Sequence, residues 1–401
     1  MRLEDVQALT SADGQDALAA AATLAASSPL VAAEKLRAQG FSPALAAAAL
    51  TQAELRRRAV AKFGPDAQLM LFTRAGLEQA TRAPVARRRA ARLAAAGARR
   101  VADLGCGVGA DTIAFARAGL RVLAVDADPV TSAVTAANIK SLELDDVVLV
   151  EARDATETPL VAVEAVFCDP ARRTSGGRRV FDPRAYSPPW DFVTALPARV
   201  PNTVLKLAPG IDHALLPKGA EGEWVSVDGD VVEAAAWCGP LAEVPRRATL
   251  HRGDQIHELT GGGDRQAPVG PVGAYLYDPD GAVVRSHLVA ELAEQLDGHL
   301  LDESIAYVTT GSDVPTPFAR KYEIIDRLPI ALKKLRAALR ERGVGALQIL
   351  KRGSAHDVDE LRRQLRLEGG ASAFLALTRI AGEPAALLLR PADGPGGAAG
   401  R

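Results

Sequence analysis

The residues best equipped for chemistry in this chain are carboxylates that close short apolar runs, and one of them sits beside a cluster of glycines. Val101-Ala-Asp-Leu-Gly-Cys-Gly-Val-Gly109 is an apolar run that reaches Asp103, breaks into alternating glycines and passes into an Ala-rich helical segment from Asp111 to Arg117. Gly105 and Gly107 permit backbone geometry that a Cβ forbids, so the chain can turn tightly and a ligand can lie against the main chain. The helix that follows presents its unpaired N–H groups to that ligand. This is the chemistry of a nucleotide-type cofactor site. Gly105, Gly107 and Ala110 also satisfy the loose G-x-G-x-x-G/A dinucleotide pattern, which alone discriminates little.

Further acids decide between cofactors. Asp103 lies just before the first glycine, where it would repel a pyrophosphate and attract a cationic amino-acid end. The run Leu120-Arg-Val-Leu-Ala-Val-Asp126 ends in an acid suited to ribose hydroxyls. Asp154 follows the apolar run Val147 to Val150, and Asp169-Pro170 closes the run Ala165 to Phe167. Acids at the carboxyl ends of consecutive strands are where an open α/β sheet gathers its ligand contacts. Together they describe S-adenosylmethionine.

As an ordered set, Asp103 to Gly109, Val125-Asp126-Ala-Asp-Pro129, Arg153-Asp154-Ala155 and Asp169-Pro-Ala-Arg172 resemble the motifs of class I S-adenosylmethionine-dependent methyltransferases, over roughly residues 99 to 240. More narrowly, the whole chain is similar to bacterial methyltransferases that carry a C-terminal THUMP-like domain. The resemblance implies an α/β, Rossmann-like fold whose mostly parallel seven-stranded sheet ends in an antiparallel hairpin. It implies cofactor contacts from Asp103, Gly105, Gly107, Gly109, Asp126 and Asp154, and an RNA substrate, tRNA or rRNA. Met70 to Thr81 resembles the segment that precedes the first motif in this family and in cap guanine methyltransferases. There it packs over the cofactor, which makes Thr73, Gln79 and Thr81 ligand contacts; the other reading is an ordinary capped helix. A protein or small-molecule acceptor, or a non-catalytic binding module, stands beside RNA methylation as an alternative.

Methyl transfer from a sulfonium is an in-line displacement, so aligning the acceptor supplies much of the acceleration. Amino-directed members carry Asp, Asn or Ser followed by Pro-Pro and an aromatic at the fourth strand. Here Asp169-Pro170-Ala171-Arg172 keeps the acid and the first proline and lacks the rest, so specificity for an exocyclic amine does not follow. Asp169, Pro170, Arg172 and Lys206 are the candidates for positioning the acceptor. Arg172 can stack on a base or clamp a phosphate. With Arg173, Arg178, Arg179, Tyr186 and Trp190 it forms either a grip for a polyanion or a surface loop paired with neighbouring acids. Lys206 interrupts a strand otherwise fit for burial, where a lysine is uncommon unless paired. It is either an active-site cation beside Asp169 or a side chain leaving through the strand end to solvent. Cys106 and Cys168 read as packing residues rather than nucleophiles, and the six histidines show no metal-ligand spacing.

The elements that hold these residues follow from pattern and composition. A chain of 401 residues needs two or three domains. Its 48 basic and 49 acidic residues give a net charge of -1, which argues against coating nucleic acid non-specifically. Three scattered cysteines form neither a disulfide framework nor a zinc spacing and point to a reducing compartment. With no secretory signal and no run approaching about 20 apolar residues, the expected location is the cytoplasm, away from membranes. Residues 1–97 read as short helices broken at Ser11 to Gly14, Ser27 to Pro29, Gly40 to Pro43 and Gly64-Pro65. Their Arg56 to Arg58 and Arg87 to Arg89 runs are solvated faces or phosphate contacts. Residues 98–240 form the cofactor domain, with strands at 99–104, 121–126, 147–151, 164–169 and 202–207 and a hairpin over Trp224 to Ala234 around Asp228-Gly229. Residues 241–320 are a strand-rich connecting segment with a helix from Leu288 to Gln295. Residues 321–391 run strand, helix, strand, helix, strand, strand, the order of a small α+β THUMP-like module, and the Gly/Pro/Ala-rich tail 392–401 is expected to be disordered.

Overall fold

The structure, a computed structural model, describes residues 1–24, 27–170, 187–354 and 356–392. Arg172 and the rest of the arginine loop through Tyr186, and the tail after Ala392, lie outside the described residues. The chain divides into two compact units, Met1–Glu221 with Ala235–Glu243 and Gly222–Ala234 with Val244–Arg401.

The first unit opens with four helices, α1 (Leu3–Thr10), α2 (Ala12–Thr23), α3 (Pro29–Ala38) and α4 (Pro43–Phe63). Their starts are local chemistry. Ser11 and Ser42 accept from the backbone N–H groups of Gly14 and Leu45, and proline opens α3 and α4, where its missing N–H costs nothing. Two further helices, α5 (Arg74–Gln79) and α6 (Ala83–Ala95), lead into the sheet. Five parallel strands follow: β1 (Arg100–Leu104), β2 (Arg121–Asp126), β3 (Val148–Ala152), β4 (Ala165–Cys168) and β5 (Thr203–Leu207), with crossover helices α7 (Ala110–Arg117), α8 (Pro129–Ser141) and α9 (Trp190–Arg199). Val101 of β1 pairs with Val122 on one side and Ala165 on the other. The chain therefore runs outward to β3 and then returns to the other side of β1, which puts the reversal of strand order at the carboxyl ends of β1 and β4. Open α/β sheets bind ligands at such a reversal.

The hairpin is β6 (Glu221–Val227) and β7 (Asp230–Trp237). Its two turn residues, Asp228 and Gly229, both have positive φ (52° and 91°), the conformation that a two-residue turn requires and that Asp-Gly tolerates. With β8 (Arg246–Arg252) and β9 (Gln255–Gly261) the strand order reads β3-β2-β1-β4-β5-β7-β6-β8-β9. The first seven of these form the expected sheet, and β8 and β9 extend it, β8 parallel to β6 and β9 antiparallel to β8.

The second unit also holds a seven-stranded sheet of order β11-β12-β10-β13-β16-β15-β14. Its strands are β10 (Tyr275–Pro279), β11 (His299–Asp302), β12 (Ile305–Thr310), β13 (Ala319–Leu328), β14 (Val344–Lys351), β15 (Ala371–Ile380) and β16 (Glu383–Pro391). Short helices α10 (Gly281–Arg285) and α11 (Val289–Gln295) precede β11. Helices α12 (Leu332–Glu341) and α13 (Val358–Leu365) bury Leu335, Leu339, Leu361 and Leu365 in one cluster with the sheet residues Leu375, Leu377 and Leu388. Among the described residues no helix is long and apolar enough to cross a membrane.

Candidate active site

At the strand-order reversal the first unit encloses a cavity of about 580 Å³, within the size range of small-molecule sites. Asp103, Gly105, Gly107, Asp126, Asp154, Thr81, Asp169 and Pro170 all line it. Gly109 and Lys206 stand outside the lining, and Arg172 lies outside the described residues.

The glycine turn is held from below and left bare above. Val125 O accepts from the N–H groups of Gly105 (2.8 Å) and Cys106 (3.0 Å), which hangs the turn on β2. Gly105 has φ +85°, and a Cβ there would lie 2.6 Å from the Asp169 carbonyl oxygen, so this glycine is needed both for conformation and for the close approach of β1 to β4. Gly107 (φ +58°) has no atom within 4 Å of where a Cβ would point. Its N–H donates to Asp126 Oδ2 (3.1 Å), and its carbonyl accepts from the Thr135 hydroxyl. Gly109, with φ +89°, caps the start of α7.

Asp103 is fully buried. Its Oδ2 accepts from the Thr112 hydroxyl at 2.5 Å, while its Oδ1 has no partner among the described residues. Burial, followed by the nearby Asp111 charge, pushes its carboxyl up to about 8. An orphaned buried oxygen on a residue that lines the cavity fits a cationic ligand that would supply the missing contact. Burial also raises Asp126, whose Oδ1 accepts from Asp128 N–H at 3.0 Å. Asp154 is held below its ordinary value by hydrogen bonds from the Thr156 hydroxyl (2.6 Å) and N–H (2.8 Å).

Behind the lining, Lys206 is only 5% exposed and donates to Asp169 Oδ2 at 2.7 Å and to the Thr81 hydroxyl at 2.9 Å. Of the two sequence readings of Lys206, the geometry is that of a cation beside Asp169. Thr81 in turn donates to Asp111 Oδ2 at 2.7 Å, and Asp111 is ion-paired with Arg89. Thr81 thus reaches the cavity wall with its hydroxyl already committed within this chain of buried groups. Arg89 itself is 2% exposed and lies over the Phe167 ring at 4.5 Å, so of the Arg87 to Arg89 run this residue is neither solvated nor open to phosphate. The cause is helical period: Val85, Ala86, Arg89, Ala90 and Leu93 form the buried face of α6. Burial raises the Cys106 and Cys168 thiols well above their ordinary value, which leaves poor nucleophiles. Among the described residues no group of three or more His, Cys, Asp or Glu side chains is placed to hold a metal ion.

Sequence reasoning missed Asp111, Thr112 and Arg89. An acid and a hydroxyl in the first turn after a glycine loop were the available signal, since those positions face the loop's floor.

A parallel sheet of this order, with a glycine turn and carboxylates at its carboxyl edge, has the class I methyltransferase fold. A Porphyromonas gingivalis W83 protein named as a candidate methyltransferase has a crystal structure of the same fold, with a TM-score of 0.71 at 22% identity over 88% of this chain and 92% of that one. The chain belongs to the S-adenosylmethionine-dependent methyltransferases: it is 38% identical over 345 residues to an uncharacterised enzyme of that name from Mycobacterium tuberculosis, covering 81% of this chain and 90% of the relative, in strain CDC 1551 / Oshkosh and in strain ATCC 25618 / H37Rv alike. More particularly, residues 319–391 match a family model described as THUMP domain-like, and residues 2–59 match a domain of unknown function, DUF8688. The protein is therefore an S-adenosylmethionine-dependent methyltransferase with a THUMP-like C-terminal domain.

Proposed function

We propose that the cavity binds S-adenosylmethionine and that the methyl acceptor is an RNA, of the tRNA or rRNA class, entering beside Asp169 and Pro170 in the cytoplasm. One observation carries the site assignment: a single cavity is lined by Asp103, Gly105, Gly107, Asp126 and Asp154 together with Asp169. The bound cofactor supplies a methyl group on a positively charged sulfur. Asp103 offers its unpartnered oxygen to the cationic amino-acid end, and Gly105 and Gly107 let the ligand lie against the main chain. Asp126 accepts from ribose hydroxyls, and Asp154 borders the base. Lys206 holds one oxygen of Asp169, which leaves the other to accept from the N–H or O–H of the acceptor and fix its direction of approach.

The RNA reading is supported by the THUMP-like match at residues 319–391. Two experiments test the pair of statements separately. Titration calorimetry should detect S-adenosylhomocysteine binding to the full chain; a folded protein that binds neither it nor S-adenosylmethionine ends the site assignment. Mass spectrometry of total RNA from a deletion strain should show one methylated nucleoside missing, restored by the wild-type gene and not by Asp169→Ala. Cofactor binding with an unchanged nucleoside profile would end the RNA reading alone. Affinity for the RNA should also fall steeply with salt, because phosphate contacts release counterions.

A further inference from the structure

Among the described residues the segment Met70–Ala80 pairs with no strand, yet its main chain is hydrogen-bonded by side chains from two helices. From α8, Asn138 Oδ1 accepts from Leu71 N–H (2.6 Å), and its Nδ2 donates to Leu71 O (3.0 Å) and to Val108 O (2.9 Å) in the glycine turn. From α4, Gln52 Oε1 accepts from Phe72 N–H (2.9 Å) and its Nε2 donates to Phe72 O (2.8 Å). Arg56 Nε donates to Met70 O at 2.8 Å. Lys62 Nζ donates to the carbonyls of Leu77 (2.8 Å), Glu78 (2.8 Å) and Ala80 (2.9 Å), at the C-terminal end of α5, where helix carbonyls lack intrahelical donors. The Phe63 ring meets Phe72 at 5.3 Å.

Gln52, Arg56 and Phe63 lie along one face of α4 at the spacing of its turns, and Lys62 reaches the segment from the flank of that face. Apart from the ring contact, each contact goes to main-chain atoms, so they specify the path of the segment rather than its side chains. Gln52 and Asn138 are fully buried, and each uses both ends of its amide. The backbone groups opposite settle which end is which, since an N–H demands an oxygen and a carbonyl demands an amide nitrogen. A carboxylate could not replace either one, because it would set a lone pair against a buried carbonyl.

The path so defined roofs the cavity, where Thr73, Gly76, Gln79 and Thr81 are lining residues. Gly76 presses on the glycine turn: a Cβ there would lie 2.5 Å from Val108 Cγ1. Asn138 therefore ties the roof and the turn to one another through a single amide.

We propose that Gln52, Arg56 and Lys62 of α4, with Asn138 of α8, are positioning residues for the cofactor, and that the segment matched as a domain of unknown function works as part of the cofactor site by clamping its roof. This rests on the cavity being the S-adenosylmethionine site. It assigns the N-terminal helices to cofactor binding and leaves RNA selection to other parts of the chain.

The test uses the full chain with S-adenosylhomocysteine as the probe, in titration calorimetry and in hydrogen exchange of residues 70–81. Gln52→Glu and Asn138→Asp should each raise Kd about tenfold or more, speed exchange at Leu71 and Phe72, and lose the slowing of exchange that the probe produces there in the wild type. Lys62→Met, at the partly exposed end of the clamp, is a milder variant that should weaken binding about threefold and loosen Leu77 to Ala80. Leu18→Ala, in the buried face of α2, a helix that packs on α4, loosens apolar packing without removing a hydrogen bond to the roof, and should lower the melting temperature and leave Kd unchanged. If the wild type does not bind, the cavity assignment fails. If the wild type binds and the clamp variants bind within twofold of it with the same exchange at 70–81, or if Leu18→Ala weakens binding as much as they do, the clamp is merely structural and the inference is overturned. Should the two isosteric variants not fold, Lys62→Met decides by the same two readouts.

Discussion

Lowering the pH from 8 to 6 should weaken S-adenosylmethionine binding about 50-fold through one carboxyl group, that of Asp103. The side chain is wholly buried, one oxygen has no protein partner, and burial with the Asp111 charge pushes it up to about 8. At pH 7 about nine-tenths of the unliganded protein then carries a proton on Asp103, and at pH 8 about half does. A cation docked against Oδ1 favours the carboxylate, so binding should expel about 0.9 proton at pH 7 and about 0.5 at pH 8. Titration calorimetry in two buffers of different ionisation enthalpy reads that number directly from the difference in apparent binding heat. Asp126, also raised by burial, and the ligand's own amine contribute to the raw pH profile. The informative quantity is therefore the difference between wild type and Asp103→Asn, which keeps the shape and cannot titrate. The variant should bind more weakly at pH 8, release correspondingly fewer protons and show a flatter profile. The unliganded protein carries the matching sign: a carboxyl raised on folding contributes stability that is fully present below its unfolded value near 4 and is lost as pH climbs to about 8. The gain in melting temperature on adding ligand should accordingly grow over the same window. Equal proton release by wild type and Asp103→Asn at pH 7 would refute the reasoning, because the buried oxygen would then not be facing the cation.

Other expectations are simpler. Gly105→Ala combines a positive φ with a Cβ placed 2.6 Å from the Asp169 carbonyl; it should cost about 1–3 kcal/mol in urea unfolding and abolish cofactor binding, and near-normal binding would show that β1 and β4 can move apart. Asp169→Ala takes the carboxylate partner from Lys206, a side chain 5% exposed. It should cost about 2 kcal/mol yet leave S-adenosylhomocysteine affinity within a few-fold, and a large loss of affinity would move Asp169 from the acceptor side to the cofactor side. Arg92 donates to both oxygens of buried Glu221 (2.7 and 2.6 Å) and covers the Trp237 ring at 4.0 Å. Arg92→Ala should cost about 3–5 kcal/mol in the same assay; a loss under about 1 kcal/mol would mean that solvent reaches Glu221 in the variant.

What could be read from the sequence was what a local rule governs. The glycine turn, the helix breaks at Ser11 to Gly14 and Gly40 to Pro43 and the Asp228-Gly229 hairpin each depend on a few consecutive residues, and new elements start at each of them. Lys206 was legible for another reason: a lysine inside an apolar strand needs a partner, and an acid ends the neighbouring strand. The buried pairs were not legible. Arg89 and Asp111 lie 22 residues apart, and Asn138 and Leu71 lie 67 apart. Gln52 looks like any polar residue on an Ala-rich helix, and Arg89 like any member of a basic run, until the helix face that turns inward is known. Likewise the strand-rich character of 241–320 was visible, but which sheet would accept β8 and β9 depends on pairing across the hairpin.

The parallel pairing of β8 along Gly222–Val227 of β6 bears on how the gene can be divided. A fragment ending soon after the hairpin would keep every cavity-lining residue, and so look like a tidy minimal enzyme. It would also strip β6 of its outer neighbour and leave a row of unmet amide and carbonyl groups along a strand buried on every residue, an open invitation to self-association. Shortened versions should therefore retain β8 and β9.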